Sequence, residues 1–238
     1  MNKNILILLI FFSVFAKTVS AQEFHAELDL NIGAPQGEFK ENVDQLGWGF
    51  GLMGGYKFEY SPILIGLDMG FMNFGSDLRE EPLSSTIPDL RVEVRNSYNL
   101  FHGDLLLRMM GPPSMLRPYV DGLVGFNYFF TQTTLEERGS VSGEHVMSDT
   151  NFDDFTFSYG LGAGLNLRVY QYAGFQDERG TASPTALYLN GSVRYMFGRS
   201  AEYMRKGSVQ VEDGEVFYDV LESATNLLYF KIGVVFQF

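Results

Sequence analysis

The sequence predicts an all-β fold, an eight-stranded antiparallel up-and-down β-barrel that crosses a membrane. The clearest support is the last segment, Leu227 to Phe238, in which every second residue is apolar. Alternate residues of a strand share one face, so this segment has one wholly apolar face and a second face with a lysine, a glutamine and a glycine. Strands of about 9–11 residues that separate lipid from a polar lumen have this pattern.

Seven earlier segments alternate in the same way. Phe155 to Val169 is the most regular, and its unbroken period of two excludes a helix, which would need a period of about 3.6. In chain order the eight predicted strands cover residues 24–32, 48–60, 63–71, 92–109, 119–130, 155–169, 187–197 and 227–238.

The fourth predicted strand is the least regular. Phe101 to Met109 alternates in one phase, whereas Val94, Tyr98 and Leu100 stand in the opposite phase. A β-bulge near Leu100 would reconcile the two halves, so we predict one there.

Long polar connections alternate with short turns along the chain. The short turns lie at 60–62 and 111–116, and the connection 171–184 is longer than this rule expects. This asymmetry is typical of bacterial outer-membrane barrels, whose long loops are extracellular and whose termini are periplasmic. The predicted extracellular connections are 34–47, 75–91, 131–153 and 198–223.

The N-terminus predicts export. Met1 to Ala21 has a basic start at Lys3, an apolar run from Ile5 to Phe15 and a small-residue cleavage site at Val19 to Ala21. The apolar run is shorter than the roughly 20 residues of a membrane-spanning helix. We therefore predict a signal peptide over residues 1–21 and an outer-membrane barrel domain over residues 22–238.

Composition narrows the class further. The chain has no cysteine, which excludes disulfides and lipid anchoring through a cysteine. Its mean hydropathy is −0.03, as alternating strands produce, and no stretch after residue 21 could form a spanning helix. The formal net charge is −12 and becomes −14 when Lys3 and Lys17 leave with the signal peptide. Such acidity argues against nucleic acid as a partner.

Three segments carry a family resemblance: Arg117 to Tyr128, Val193 to Gly198 with the following Ala201 to Tyr203, and Phe230 to Phe236. They resemble the outer-membrane β-barrel domain family of Bacteroidetes, with its PorT-like and OmpX/OmpA-like small barrels. The resemblance covers nearly all of the mature chain. It implies a small, multi-pass barrel in the outer membrane of a Gram-negative cell, and it brings no shared catalytic motif.

The C-terminal strand also resembles the signal that the outer-membrane insertion machinery reads during assembly. That signal ends on a phenylalanine and has alternating apolar residues upstream of it. The residues that match are Phe230, Ile232, Val234, Phe236 and Phe238.

With the apolar faces assigned to lipid, the remaining ionisable side chains point inward. Six are acidic and five carry a permanent positive charge, and one is a histidine. An eight-stranded barrel is just wide enough to be filled by side chains, so this near balance predicts an interior polar network. Its predicted members are Glu27, Asp29, Lys57, Glu59, Asp68, His102, Asp104, Arg108, Asp121, Arg168, Arg194 and Lys231.

The sequence favours a non-enzymatic structural or interaction role, such as an accessory of an envelope complex, and leaves two alternatives. A small passive channel would need a water path through the polar network. A lipid A-modifying enzyme would need His102, paired with Asp104, or His25 near the outer leaflet, and no nucleophile is tied to these residues. There is no phosphate-binding loop and no zinc-ligand spacing, so we expect no metal or cofactor.

The four long connections, with the third counted as far as Asp154, carry −12 of the mature charge of −14. Solvation explains an acidic outer face. A functional interpretation is that divalent cations bridge these acids to lipopolysaccharide phosphates. We therefore expect outer-membrane lipid and lipopolysaccharide as partners, together with an envelope protein that the sequence does not identify. The candidate bridging residues are Glu136, Glu137, Asp149, Asp153 and Asp154.

A barrel that resists detergent should migrate differently on an electrophoretic gel before and after boiling, because only boiling unfolds it. Circular dichroism of the detergent-solubilised protein should be rich in β-structure. A helical spectrum, or a chain that is soluble without detergent, would contradict the predicted fold.

Overall fold

The computed structural model describes residues 23–84, 87–137, 145–171, 186–212 and 215–238. The predicted signal peptide and most of the connection 171–184 lie outside the described residues.

In chain order the elements are β1 (Glu23–Pro35), α1 (Glu38–Asn42), β2 (Gly47–Lys57), β3 (Ile63–Ser84), β4 (Ile87–Met110), β5 (Leu116–Glu137), β6 (His145–Gln171), β7 (Ala186–Gly198), β8 (Ser200–Tyr203), β9 (Val209–Glu212), β10 (Glu215–Tyr218), β11 (Leu221–Ala224) and β12 (Leu227–Gln237). The strands β1 to β7 and β12 form a closed barrel in which each strand pairs antiparallel with its chain neighbours. β12 closes the barrel between β7 and β1. The predicted eight-stranded up-and-down barrel is confirmed.

The two ends of the barrel differ. The short-turn end carries the turn after β2, the turn after β4, and the residues that begin β1 and end β12. The long-connection end carries α1, the tips of the β3–β4 and β5–β6 hairpins, and the segment from β8 to β11.

The outer face of the barrel is an apolar belt. Leu30 is 70% exposed, Leu161 is 70% exposed and Ile232 is 71% exposed. These side chains stand at alternate positions, while their strand neighbours Asn31 and Lys231 are buried at 1% exposure. An exposed apolar surface of this extent needs an apolar environment, which lipid acyl chains supply.

Two connections that the sequence predicts as loops are largely paired strands. β3 and β4 remain paired from Ser76↔Ser97 to Ser84↔Ile87, and β5 and β6 remain paired as far as Glu136↔His145. The prediction that residues 75–91 and 131–153 form irregular loops was therefore wrong where these residues are described. Apolar alternation marks only the part of a strand that faces lipid, whereas backbone pairing continues into polar sequence.

The predicted bulge near Leu100 is also wrong. β4 pairs with β5 without interruption from Val92 to Met110, and Leu100 is buried on the same face as His102. The irregularity lies in the partner strand, between Asn73 and Ser76 of β3. The apparent change of phase arises because the barrel interior becomes apolar towards the long-connection end, so an apolar residue there can face inward.

The other two long connections also contain regular structure. The connection 34–47 contains α1, and its Phe39 is buried at 1% exposure within the mouth of the barrel. The connection 198–223 contains two small sheets, β8 with β11 and β9 with β10. Among the described residues, no helix has both the length and the apolar character needed to cross a membrane.

Deletion of Phe238 should lower the fraction of chain that folds into the barrel. Its backbone N–H donates to the Phe24 carbonyl at 2.9 Å, and the Phe24 N–H donates to the Phe238 carbonyl at 3.3 Å, so deletion removes the last pair across the closing seam. Phe236→Asp should have the same effect, because it places a charge on the apolar face. Heat-sensitive electrophoretic mobility of membrane fractions measures the folded fraction.

Tyr60→Asp is the matched control, since it introduces the same charge at an aromatic residue that is 97% exposed in the turn after β2. Normal assembly of both C-terminal variants would show that this strand is not the assembly signal.

Candidate functional site

The middle of the barrel interior is a cluster of charged side chains, which we call the ionic layer. Each member is at most 5% exposed, and together they come from β1, β3, β4, β5, β7 and β12. The alternation of each strand directs these side chains away from lipid. The members are Glu27, Asp29, Asp68, His102, Asp104, Arg108, Asp121, Arg194 and Lys231.

Arg108 on β4 contacts carboxylates on two other strands, Asp121 on the adjacent β5 and Glu27 on β1. Its Nε donates to Asp121 Oδ1 at 2.8 Å and its Nη2 donates to Asp121 Oδ2 at 3.1 Å, a bidentate pair. Its Nη1 donates to Glu27 Oε2 at 3.1 Å. The guanidinium carbon lies 3.8 Å from the centre of the Tyr119 ring, which is a cation–π contact. All these contacts are fully removed from solvent.

Arg194 and Lys231 extend the layer across the barrel. Arg194 donates to Asp121 Oδ2 at 3.0 Å and lies 2.9 Å from Asp68 Oδ2. Lys231 Nζ donates to Asp68 at 2.9 and 3.1 Å and lies 3.2 Å from Asp29 Oδ2. Each of the three permanent cations of the layer therefore bridges two carboxylates.

His102 and Asp104 form a pair at the edge of this arrangement. His102 Nδ1 lies 2.9 Å from Asp104 Oδ2 and 4.0 Å from Asp68 Oδ1. The imidazole ring also packs edge-on against Tyr229, with the ring centres 5.4 Å apart. The acid can orient the imidazole, and the lumen around the pair is closed.

Apolar side chains fill the lumen on both sides of the ionic layer. Towards the long-connection end, Phe39 packs edge-on against Phe74, Phe129 and Tyr203, with ring centres 5.0–5.8 Å apart. The residues Leu64, Leu106, Met110 and Val235 are buried on the short-turn side at 0–3% exposure.

Inward-facing glycines give the large side chains room. A Cβ added at Gly162 would lie 2.5 Å from Arg194 Cγ, and one at Gly164 would lie 2.4 Å from the Tyr119 ring. A Cβ at Gly51 would lie 2.5 Å from Asp29 Oδ1. The strands β2 and β6, which contribute no charge to the ionic layer, therefore contribute space to it.

Three of the predicted network residues lie elsewhere. Glu59 is exposed in the turn after β2, so its assignment to the interior was wrong, because the inward alternation ends with the strand at Lys57. Lys57 pairs with Glu23 at 3.1 Å near the short-turn end. Arg168 is half-buried near the same end. Without these residues the ionic layer has five acids and three permanent cations.

Two uncharged polar residues, Asn190 and Asn31, also lie beside the ionic layer, and the sequence analysis did not predict them. Asn190 donates to Glu27 and accepts a hydrogen bond from the Tyr119 hydroxyl at 2.7 Å. Asn31 is buried at 1% exposure beside the layer. Both residues occupy inward-facing positions in the alternation of β7 and β1, and this pattern could have identified them. They were missed because only ionisable residues were selected as members of the interior network.

A separate cavity of about 360 Å³ opens at the long-connection end. Its floor is aromatic, and charged residues of both signs stand around it. Lys206 is exposed at its rim, and Arg205 donates to the Asn42 carbonyl at 3.0 Å. The aromatic lining residues are Phe39, Phe74, Tyr98, Phe129, Phe130, Phe152 and Tyr203.

A closed barrel with an apolar belt outside and a layer of paired charges inside defines a small transmembrane β-barrel. The chain belongs to the outer membrane protein β-barrel domain family, whose match covers residues 5–169. Its place in the outer membrane follows from that family. No curated protein matches the chain.

The solved structures that match this chain share little sequence with it. A major outer membrane protein of Thermus thermophilus is 14% identical, with a TM-score of 0.45, and the match covers 92% of this chain and 100% of that one. Neisserial surface protein A is 12% identical, with a TM-score of 0.40 and coverage of 92% and 98%. The attachment invasion locus protein Ail of Yersinia pestis is 13% identical, with a TM-score of 0.38 and coverage of 92% and 100%.

Replacing Arg108 with methionine should destabilise the barrel by about 3–5 kcal/mol, because the change leaves Glu27 and Asp121 buried without this partner. Equilibrium unfolding in urea, with the barrel in lipid vesicles, measures the loss. Arg199→Met is the matched control, since Arg199 is exposed and should cost less than about 1 kcal/mol. Equal effects of the two changes would show that the ionic layer does not hold the barrel together.

Proposed function

We propose that this protein is a non-enzymatic barrel of the outer membrane with a structural or interaction role, such as an accessory subunit of an envelope complex. The observation that carries the proposal is the filled interior. The ionic layer and the apolar layers on either side occupy the lumen with side chains that contact one another. Function is then left to the surfaces at the two ends.

The filled lumen argues against the passive channel. The cavity beside His102 and Tyr229 has a volume of about 10 Å³, which is about the space of one water molecule. The cations and acids around it are held in bridging contacts, and opening a path would break several of them at once.

The position of His102 argues against a lipid A-modifying enzyme. The residue is 4% exposed and lies at the middle of the barrel, where a lipid of the outer leaflet does not reach it. His25 is 1% exposed near the short-turn end, beside Glu23 at 3.7 Å. Neither imidazole stands beside a serine that could act as a nucleophile in a described hydrogen bond.

The long-connection end offers the surface for a partner. It holds the cavity of about 360 Å³, which is in the range of sites that accept a small ligand or a side chain. We propose that this end is extracellular and that both termini are periplasmic. The finer relationship to PorT-like and OmpX/OmpA-like barrels of Bacteroidetes rests on the segments Arg117 to Tyr128 and Phe230 to Phe236.

Lipopolysaccharide bridging is the proposed contribution of the acidic residues. Asp153 is exposed and accepts a hydrogen bond from the Tyr128 hydroxyl, whereas Asp154 accepts hydrogen bonds from the Glu202 and Phe155 backbone N–H groups at 2.7 Å. Asp154 is therefore the weaker of these two candidates. The side chains of Glu136, Glu137 and Asp149 lie outside the described residues.

The orientation can be tested directly because the chain contains no cysteine. Lys206→Cys at the long-connection end should react with a membrane-impermeant maleimide in intact cells. Ser114→Cys, in the exposed turn between β4 and β5, should react only after the outer membrane is permeabilised. The reverse labelling pattern would invert the proposed orientation. An epitope tag near Gly143, in a segment outside the described residues, should give the same result as Lys206→Cys.

The proposed role itself is tested by conductance and by capture of a partner. Purified barrel in planar bilayers should show no steady ion conductance. A photo-crosslinking amino acid at position 206 should capture an envelope protein in cells, whereas the same amino acid at position 114 should not give that product. Reproducible conductance would favour the channel, and loss of lipid A modification on gene deletion would favour the enzyme.

A further inference from the structure

We infer that the barrel interior contains a binding site for one divalent transition-metal ion, formed by Asp68, His102 and Asp104. One donor atom from each of these residues lies within 4.8 Å of the other two, and all three residues are buried. Asp68 stands on β3 and the other two on β4, which pairs directly with β3. The inference does not depend on the orientation of the barrel or on its partner.

The charge of the ionic layer is the first reason. Within the ionic layer, five carboxylates face three permanent cations, which leaves a formal charge of −2 when His102 is neutral. A further buried cation, Arg117, lies nearer the short-turn end, where its Nε donates to the Gly111 carbonyl at 2.9 Å. Glu27, Asp29, Asp68 and Asp121 each contact an arginine or a lysine at 3.2 Å or less. A buried carboxylate without a cation is costly, so the layer needs a further positive charge.

Asp104 is the one carboxylate of the ionic layer that has no described contact with an arginine or a lysine. Among the described residues, its carboxylate has His102 as its only hydrogen-bond partner, through Oδ2, and its Oδ1 is buried without a partner. Its side chain is 2% exposed, so water from outside does not solvate it. A divalent ion at this point would supply the two positive charges that the layer lacks.

The geometry is compatible with such an ion. Metal–ligand distances for imidazole and carboxylate are about 2.0–2.2 Å, so two ligands of one ion are at most about 4.4 Å apart. The observed distances from His102 Nδ1 are 2.9 Å to Asp104 Oδ2 and 4.0 Å to Asp68 Oδ1. All three donor atoms lie within 4.8 Å of one another, so small shifts of the side chains would bring them to one ion. The cavity of about 10 Å³ beside His102 and Asp104, which Arg194, Lys231 and Tyr229 also line, has room for a water as a fourth ligand.

The other imidazole nitrogen of His102, Nε2, lies near the Asn31 side-chain amide, whose oxygen can accept a hydrogen bond. When Nδ1 binds a metal, Nε2 carries the proton and usually donates it to a carbonyl or carboxylate oxygen. Nε2 is buried without a partner, and so are both polar atoms of the Asn31 amide. A Cβ added at Gly70 would lie 2.4 Å from Nε2 and 3.1 Å from Asn31 Nδ2, so the two side chains flank the same point. A rotation of the amide would present its oxygen towards Nε2.

Lys231 donates to both oxygens of Asp68 and Arg194 contacts Oδ2, so an ion bound at Oδ1 would share that oxygen with Lys231. Lys231 is shared with Asp29 and Arg194 is shared with Asp121. Neither has a described contact with Asp104. The ligands are one imidazole and two carboxylates, a set that suits Zn²⁺, Mn²⁺ or Fe²⁺. Because the lumen is filled, the ion would be bound as the barrel folds.

The test uses the full chain, stripped of metal in denaturant with a chelator and refolded into detergent with or without Zn²⁺. Folded barrel is identified by its heat-sensitive electrophoretic mobility, freed of loose metal by gel filtration and analysed for zinc. We expect one Zn²⁺ per chain and a higher unfolding temperature than for the metal-free barrel. Co²⁺ in place of Zn²⁺ should give visible ligand-field absorption that Zn²⁺ abolishes.

His102→Gln and Asp104→Asn should each lose the bound zinc and its effect on unfolding. His25→Gln is the matched control, because it removes a different buried histidine and should retain the zinc. Folded wild-type barrel without stoichiometric zinc, or folded His102→Gln with as much zinc as the wild type, would overturn the inference. If the variants do not fold, the wild-type zinc content and the Co²⁺ spectrum still decide it.

Discussion

Neutralisation of buried charge within a narrow closed lumen is the constraint on which the rest of this structure depends. A barrel of eight strands has an interior that side chains fill, and its low polarity makes every unpaired charge expensive. Each permanent cation bridges two acids, and the three cations together contact four of the five carboxylates of the layer, all but Asp104. Arg108 on β4 reaches Glu27 on β1, and Lys231 on β12 reaches Asp68 on β3. These contacts connect strands that are not neighbours in the sheet, so the ionic layer braces the barrel across its diameter.

The same constraint accounts for the distribution of glycine. The long side chains of Tyr119 on β5 and Arg194 on β7 need space beside them, and glycines at the paired positions of the neighbouring strand β6 provide it. Gly162 and Gly164 illustrate the point, since a methyl group at either would overlap Arg194 or Tyr119. Substitution of these glycines would therefore disturb the ionic layer although they carry no polar side chain.

Because side chains fill the lumen, the parts of this barrel that stabilise it differ from the surfaces that other molecules can reach. The outer belt contacts lipid, the ionic layer holds the strands together, and Phe39 of α1 closes the mouth by packing on three other rings. What remains available to other molecules is the surface at the two ends, of which the long-connection end has the aromatic cavity and exposed charges. The metal site inferred at Asp104 belongs to the internal balance of charge, and it would make the stability of the barrel depend on the ion.

Much of the fold could be predicted from the sequence, because a strand between lipid and lumen imposes a period of two. That rule located all eight barrel strands. Of the twelve residues that it predicted for the interior network, nine are members of the ionic layer. It failed at Leu100, where the interior itself is apolar and alternation no longer distinguishes inside from outside. It also ended the strands too early, at Phe71 and Phe130, because pairing of polar hairpins beyond the membrane leaves no hydrophobic pattern.

The sequence by itself therefore determined the barrel, the number of its strands and which face of each strand meets lipid, since these follow from local alternation. Only the tertiary structure decided which charges meet. The contact of Asp104 with His102 is local, but those of Arg108 with Glu27 and of Lys231 with Asp68 join residues 81 and 163 positions apart. Such pairs depend on the register and closure of the sheet. The imbalance of five acids and three permanent cations appears only once Glu59, Lys57 and Arg168 are placed outside the layer by the ends of their strands.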